Sequence, residues 1–246
     1  MVVNQWVPAA HRGDAIGDSA RAVRDLLRAQ GHDAGIYALH IDDDMRSEAR
    51  PFADGAASAG DVTILHFAVP SPMTEAFARL PRGRVLQYHN ITPARFYAPY
   101  DPGIYRLAVV GRRELASLAG RCDLALGDSE FNRRELEELG FPATGVLPVV
   151  PDFSHLDGPP NDLVAGQFDD GWTNILFVGR VIPNKRIENL IRFFAAYKAR
   201  YNPRSRLLIV GSYGGFDRYL TMLRMRSYSG CSRAYMRRYT WRYSSS

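Results

Sequence analysis

The chain has 246 residues, 46% of them hydrophobic, which is enough for one large globular domain or for one domain and part of another. It has no apolar run near the ~20 residues of a membrane-spanning helix, and its start shows no signal-peptide pattern. Its only two cysteines, Cys122 and Cys231, are far apart in the sequence, which argues against a disulfide framework or a zinc site. The net charge of +5 depends on seven arginines that follow Asp217, the last acidic residue; without them 24 Lys and Arg face 26 Asp and Glu, so the chain lacks the basic folded surface of a nucleic-acid-binding protein.

Apolar strands alternate with helical patterns over residues 1–150, which predicts a parallel sheet with helices on both faces. The predicted strands are Val2–Gln5, Gly35–Leu39, Val62–Ala68, Arg84–Tyr88, Leu124–Gly127 and Thr144–Leu147. The predicted helices are Ser19–Gln30, Pro72–Leu80, Ile104–Ala119 and Glu130–Leu139. Ser129 is a suitable N-cap for the last helix and Gly140 a suitable stop. This is the pattern of a complete Rossmann-like domain.

Two features of this domain are candidates for ligand contact. Gly13 and Gly17 lie in a loop between the first strand and a helix, where glycine backbone and a helix N-terminus suit a phosphate; a plain turn is the alternative. His89 ends a strand at the edge where α/β sheets bind ligands. Its imidazole is either an ordinary loop side chain or a group that hydrogen-bonds a ligand or helps stabilise charge in a transition state.

Residues 151–172 are predicted to be an interdomain linker, because the stretch Pro148–Trp172 is irregular and rich in proline. A second alternation follows, with strand Ile175–Val178, helix Ile187–Tyr201, strand Arg206–Val210, the turn Gly211–Gly215 and a helix start at Phe216–Leu223. Residues 173–224 therefore predict the first βαβ portion of a second Rossmann-like domain.

The turn after strand Ile175–Val178 carries two cations. Gly179 breaks the strand, Arg180 and Lys185 follow five residues apart, and a helix begins near Arg186. An arginine fork, a mobile lysine charge and a helix N-terminus together suit a diphosphate. The alternative is a solvated basic loop.

Residues 225–246 form an atypical basic tail, rich in Arg, Ser and Tyr and without strand or helix periodicity. One interpretation is a disordered tail. The other, which we favour, is out-of-frame translation after a frameshift near codon 224.

Together these motifs resemble a known family. The stretch from Gly179 to Lys185 is similar to the Gly-Arg-x-x-x-x-Lys signature of the retaining, nucleotide-sugar-dependent glycosyltransferases of family 4, which have the GT-B fold. Four other segments resemble motifs of that family in the same order, over residues 1–224: Gly13–Gly17, Tyr88–Pro93, Asp128–Asn132 and Leu207–Gly211. The family's Glu-x7-Glu motif, which holds the donor sugar and ribose, has no counterpart here.

The resemblance implies two Rossmann-like domains with the active site between them, the second truncated. It implies transfer of a hexose from a nucleoside-diphosphate sugar to an acceptor hydroxyl with retention of configuration. His89, Arg180 and Lys185 would be the catalytic residues. The implied substrate-binding residues are Gly13, Gly17, Asn90, Ser129, Gly179 and Gly211. No metal or cofactor is expected beyond the nucleotide-sugar substrate, because Arg180 and Lys185 would carry the charge of the diphosphate.

The expected partners are the nucleotide-sugar donor and a sugar, polysaccharide or lipid-linked acceptor, with no nucleic acid. We expect a cytoplasmic location, with contact at the inner membrane face if Arg21, Arg24 and Arg28 meet anionic lipid rather than forming a solvated helix face. Because half of the donor pocket is missing, we expect weak or no transferase activity. Two alternatives remain open: a non-catalytic module that binds an acceptor or partner, and a GT-B nucleotide-sugar epimerase.

Overall fold

The computed structural model describes residues 1–150, 157–228 and 235–236. They form two compact units. Unit 1 comprises Met1–Pro93 and the described residues between Arg106 and Asp157, and unit 2 comprises Ala94–Tyr105 and the described residues from Gly158 onward. Residues 94–105 thus group with unit 2, although the sequence pattern placed them inside the first domain.

Unit 1 is built on a seven-stranded parallel sheet. Its strands are β1 (Val2–Ala10), β2 (Asp33–Ile41), β3 (Arg50–Pro51), β4 (Val62–Phe67), β5 (Arg84–Tyr88), β6 (Leu124–Gly127) and β7 (Thr144–Val146). The strand order is β3-β2-β1-β4-β5-β6-β7, and every neighbouring pair is parallel. The six predicted strands are therefore confirmed, and the two-residue β3 is an addition too short to leave a periodic signal.

The helices of unit 1 connect these strands. They are α1 (Ala15–Ala29), α2 (Pro72–Ala78), α3 (Pro102–Ser117), whose first turn up to Tyr105 groups with unit 2, and α4 (Glu130–Glu138). α1 begins four residues before the predicted start because Asp14 caps it, its side chain accepting a bond from the Gly17 N–H. The predicted cap and stop of α4 are confirmed: Ser129 accepts from the Asn132 N–H at 3.3 Å, and Gly140 follows with φ 87°.

The two faces of the central strands differ in chemistry. One face carries a buried apolar row across four neighbouring strands, formed by Trp6, Leu65, Leu86 and Ala125. Trp6 anchors it, because its ring lies edge-on to Phe52 at 4.8 Å and its Nε1 donates to the Ala57 carbonyl at 3.0 Å. The other face carries buried polar side chains, and it is this face that concerns function.

Unit 2 contains one βαβ motif and a short third strand. Its elements are α5 (Asp162–Gly166), β8 (Thr173–Val178), α6 (Ile187–Arg200), β9 (Ser205–Val210), α7 (Asp217–Tyr228) and β10 (Tyr235–Met236). β9 lies between β8 and β10, and both pairings are parallel. The predicted strands and α6 are confirmed, while α5 is a short helix inside the predicted linker.

The predicted basic tail includes some regular structure. α7 runs to Tyr228, beyond the residue at which the sequence pattern changes, because Leu220 and Leu223 are buried and no helix breaker intervenes before Gly230. Tyr235–Met236 pairs with β9. The other residues of the tail, 229–234 and 237–246, lie outside the described residues.

Candidate functional site

The two main strands of unit 2 end in glycines that touch. β8 and β9 pair up to Val178 and Val210, and the Gly179 N–H then donates to the Val210 carbonyl at 2.9 Å. A Cβ added to Gly211 would lie 2.7 Å from the Gly179 carbonyl carbon, and the Gly211 φ is 150°. Only glycine accommodates this combination. Two turns therefore leave the same edge of the sheet side by side, at the carboxyl ends of parallel strands where α/β proteins bind ligands.

Arg180 and Lys185 lie on the first of these turns. Both are exposed, and neither side chain forms an ion pair or hydrogen bond with another residue in the part of the chain that the structure describes. The Arg180 guanidinium lies beside the second turn, with Nη2 3.2 Å from the position of a Cβ added to Gly214. Lys185 ends a 3₁₀ turn, Pro183–Lys185. The structure thus places the open donors of Arg180 next to the second glycine turn and leaves Lys185 exposed on the first, an arrangement suited to an anion.

The start of α6 is less open than the sequence predicts. Arg186 precedes it in the left-handed conformation, with φ 52°, and provides no side-chain cap. Instead the hydroxyl of Tyr219, on α7, accepts from the Ile187 N–H at 2.9 Å and donates to the Glu188 carboxylate. Burial, and then the bond to Glu188, raises the pKa of Tyr219. One of the N–H groups expected to face a phosphate is therefore bonded inside unit 2.

A row of hydrogen-bonded polar side chains crosses the second face of the unit 1 sheet. Gln5 Oε1 lies 2.9 Å from His66 Nε2, and His66 Nδ1 lies 2.9 Å from His89 Nε2. His89 Nδ1 lies 3.0 Å from each carboxylate oxygen of Asp128. Burial, and then the neighbouring His89, lowers the pKa of His66 well below its ordinary value.

Both ring nitrogens of His89 therefore have protein partners. Its side chain is 2% exposed, whereas that of Asp128 is 20% exposed. A sugar hydroxyl that bonds His89 must first displace Asp128 or His66, so the predicted direct role of His89 requires an exchange of bonds. Asp128 is the member of the row closest to solvent.

The turn after β5 presents Asn90 on a fixed frame. Asn90 has φ 64°, in the left-handed region that asparagine tolerates better than most residues. The Tyr88 hydroxyl accepts from the Ile91 N–H at 3.0 Å and donates to Glu135 at 2.7 Å. Arg112 binds the same Glu135 and donates to the Ile91 carbonyl at 2.6 Å. Because both backbone groups of Ile91 are held, the exposed Asn90 side chain is presented from a rigid turn.

The Gly13–Gly17 loop is occupied by acidic side chains. The Gly13 N–H donates to Asp18 and the Gly17 N–H donates to Asp14, each at 3.3 Å. These carboxylates satisfy the N-terminus of α1 and place negative charge where a diphosphate was predicted. A diphosphate would have to displace them, so binding by Gly13 and Gly17 stays a prediction.

Two of the three arginines on the basic face of α1 form ion pairs with carboxylates of unit 1, and the exposed Arg28 bonds a backbone carbonyl. Each of the three thus has a partner: Arg21 binds Asp18, Arg24 binds Asp25 and Glu48, and Arg28 donates to the Ala34 carbonyl. Arg24 is 7% exposed and so is not available to a lipid surface. Among the described residues, no helix has the length and apolar character needed to cross a bilayer.

The described residues include neither a group of side chains arranged to bind a metal ion nor a reactive thiol. No group of three His, Cys, Asp or Glu side chains there is arranged to hold a metal ion. Cys122 is buried, and burial raises the pKa of its thiol to about 12, which makes it a poor nucleophile.

The sequence identified His89 but missed the residues that hold it. Asp128 was noted only as part of a motif, and Gln5 and His66 were not singled out. Their common signal is position: polar side chains near the carboxyl ends of strands that become neighbours in the sheet. Of the other predicted site residues, the structure brings together Gly179, Arg180 and Gly211, and it places the exposed Ser129 next to Asp128.

Comparison with known proteins identifies the fold. No protein-family model and no curated protein matches the sequence. Among solved structures, Anabaena HepE (Alr3699), in complex with UDP and glucose, matches with a TM-score of 0.61 and 17% identity over 98% of this chain and 70% of its own. WaaG, a glycosyltransferase involved in lipopolysaccharide biosynthesis, gives 0.59 and 13% over 96% and 70%. A glycosyltransferase from Rickettsia africae gives 0.59 and 13% over 97% and 67%.

WaaG and the Rickettsia protein are glycosyltransferases, and this chain spans about 70% of the length of HepE and of WaaG. The predicted fold class is confirmed: the chain is an α/β protein with a seven-stranded parallel sheet and part of a second sheet, a partial GT-B fold.

Proposed function

We propose that this chain belongs to a glycosyltransferase that moves a hexose from a nucleoside-diphosphate sugar to an acceptor hydroxyl. The observation that carries the proposal is the pair of exposed cations Arg180 and Lys185, which have no ion-pair or hydrogen-bond partner among the described residues and lie on a turn held against a second glycine turn. HepE, which shares the fold, was solved with UDP and glucose, and this supports a nucleotide-sugar donor.

In this reaction the bond between the anomeric carbon and the diphosphate oxygen breaks, and the acceptor oxygen bonds that carbon and loses its proton. Negative charge grows on the leaving diphosphate. Arg180 and Lys185 would stabilise that charge, the arginine through paired N–H donors and the lysine as a point charge. Two such cations fill the role that a divalent metal has at other diphosphate sites, so the proposal includes no metal.

The finer parts of the proposal come from the motif order in the sequence. We assign the chain to family 4, with retention at the anomeric carbon and a sugar, polysaccharide or lipid-linked acceptor. On this assignment Gly179 and Gly211 bring backbone close to the donor, while Asn90, Ser129 and the row that contains His89 lie on the acceptor-side unit.

The test is diphosphate binding by the full 246-residue chain, measured calorimetrically with UDP, GDP and ADP. Each of Arg180→Ala and Lys185→Ala removes a charge-assisted interaction worth about 1.5–3 kcal/mol, so each should weaken the tightest of the three ligands about 10- to 150-fold. Arg200→Ala is the matched control, because Arg200 is also an exposed cation of unit 2 and lies in the last turn of α6.

Equal affinity in the wild-type chain and both site variants would refute the proposed diphosphate site, as would an absence of binding for all three nucleotides. Binding of an acceptor oligosaccharide without any nucleotide would favour the non-catalytic module. Conversion of a nucleotide sugar to its epimer without acceptor would favour the epimerase.

A further inference from the structure

The two histidines of the buried row are joined edge to edge. The ring centroids of His66 and His89 are 5.1 Å apart, although His66 Nδ1 and His89 Nε2 are only 2.9 Å apart, and the ring planes differ by 7°. The rings therefore lie nearly in one plane with a nitrogen of each facing the other. This is the geometry of an N–H···N hydrogen bond and not of face-to-face stacking.

Both ends of the row accept hydrogen bonds. The Gln5 amide is oriented by its second contact: its Nε2 lies 2.9 Å from the Ala20 carbonyl, which can only accept, so its Oε1 faces His66 Nε2. At the other end, the Asp128 carboxylate faces His89 Nδ1 and also accepts from Gln87 Nε2 at 3.4 Å. An aspartate is ordinarily ionised at neutral pH, and in that form it has no proton to donate.

The row therefore contains three hydrogen bonds: Gln5 to His66, His66 to His89, and His89 to Asp128. Gln5 and Asp128 both accept, so the two imidazoles must supply all three protons. Two neutral imidazoles supply two N–H groups, one each, and three are needed. We infer that the row holds three ring protons, with one on His66 Nε2 and both nitrogens of His89 protonated, so that His89 and Asp128 form a buried ion pair whose net charge is zero.

The surroundings agree with this placement. The lowered pKa of His66 leaves it neutral, with a single N–H that the contact with Gln5 places on Nε2. His66 Nδ1 must then accept, so His89 Nε2 donates. Among the described side chains that hydrogen-bond within the row, which are Gln5, His66, Gln87, His89 and Asp128, Asp128 is the one acid. Its negative charge compensates the second proton of His89, which an uncompensated buried site would not retain.

The row gives His66 and Asp128 a role as positioning residues. They fix the ring of His89 and its protonation, and they leave Asp128, at 20% exposure, as the carboxylate that a ligand hydroxyl meets first. This last consequence rests on the proposed transferase function. The proton count does not, because it follows from contacts within unit 1.

The experiment is a long-range proton–nitrogen NMR spectrum of the full chain labelled with ¹⁵N-histidine at pH 7.5, where about one tenth of ordinary histidine is charged. We expect both His89 nitrogens to show the protonated type of shift and His66 to be protonated at Nε2 alone. The exposed His40 is the internal reference. A His89 ring with one protonated nitrogen would overturn the inference.

Asp128→Asn provides the second arm, since asparagine keeps the shape and can donate. Its amide would supply the third proton to His89 Nδ1, so we expect that nitrogen to change from the protonated to the unprotonated type while Nε2 stays protonated. Asp123→Asn, at the opposite end of β6, is the control and should change neither ring. An unchanged His89 spectrum in Asp128→Asn would contradict the inference. No nucleotide is present, so this result is independent of the diphosphate-binding test.

Discussion

Replacing Gly211 by alanine is expected to open the edge of unit 2 that carries Arg180. The φ of 150° lies in a region nearly restricted to glycine, at a cost of about 1–3 kcal/mol for another residue. The new Cβ would also lie 2.7 Å from the Gly179 carbonyl carbon and still closer to its oxygen, inside the 3.0 Å that real Cβ atoms essentially never breach. Because the neighbour is backbone, the ends of β8 and β9 must separate, and we expect a total cost of about 3 kcal/mol or more.

Gly215→Ala is the matched control in the same turn. Its φ is 83°, but no atom lies within 4 Å of the added Cβ, so only the conformational cost of about 1 kcal/mol applies. The steric part of the Gly211 effect is therefore the difference between the variants, about 2 kcal/mol or more. This is a sizeable share of the 5–15 kcal/mol by which whole domains are stable.

Hydrogen exchange measured by mass spectrometry locates the effect. The Gly179 N–H donates to Val210 and the Val181 N–H donates to Ser212, at 2.9 and 2.8 Å. A loss of about 2 kcal/mol in the free energy of local opening speeds exchange of these amides about 30-fold in Gly211→Ala relative to Gly215→Ala. Equal exchange in the two variants would refute the view that contact between the glycines holds this edge together.

Two further predictions concern stability. Glu48→Gln should lower the free energy of unfolding at pH 7 by about 1–2 kcal/mol, because it weakens the partner of the buried Arg24. Despite burial, the hydrogen bond from Arg24 holds the pKa of Glu48 below its ordinary 4.5, so the stability that Glu48 contributes is present above pH 4.5 and is lost as the pH falls through the folded-state pKa. In urea titrations at decreasing pH, the free energy of unfolding should therefore fall less steeply in the variant than in the wild type. An identical decrease in the two proteins would contradict this. Tyr219→Phe should lower the free energy of unfolding by about 1–2 kcal/mol, because the Ile187 N–H and the Glu188 carboxylate lose their hydrogen bonds to the hydroxyl. A circular dichroism melting curve identical to that of the wild type would argue against this cap.

The sequence predicts the strands and helices of this protein well, because the signals for them are local. An apolar run bounded by glycine, as at Ile175–Val178, forms a strand whatever it pairs with, and Ser129 caps α4 through an amide three residues away. Element ends were harder to predict: β1 extends to Ala10, and α1 begins at Ala15.

The chemistry of the sites depends on partners that are distant in sequence. His89 meets His66, which is 23 residues away, and Asp128, which is 39 residues away, and only the pairing order of the strands brings them together. Arg24 has the sequence context of a surface residue, yet Glu48 makes it a buried ion-pair partner. Arg186 shows the same dependence on distant parts of the chain: it has a left-handed backbone conformation, which favours glycine and which its own residue type does not predict.

The assignment of residues 94–105 to unit 2 affects how the polypeptide can be divided and how it is synthesised. The chain passes from one unit to the other at three points, so no single cut separates them. Tyr97 stacks on Phe216 with ring centroids 5.7 Å apart, and Tyr100 meets Tyr219 at 5.1 Å. A fragment ending before Gly158 would expose both tyrosines without their partners. On the ribosome these aromatic rings emerge more than a hundred residues before the rings they pack against, so this part of unit 2 cannot be completed until Phe216 and Tyr219 have been made.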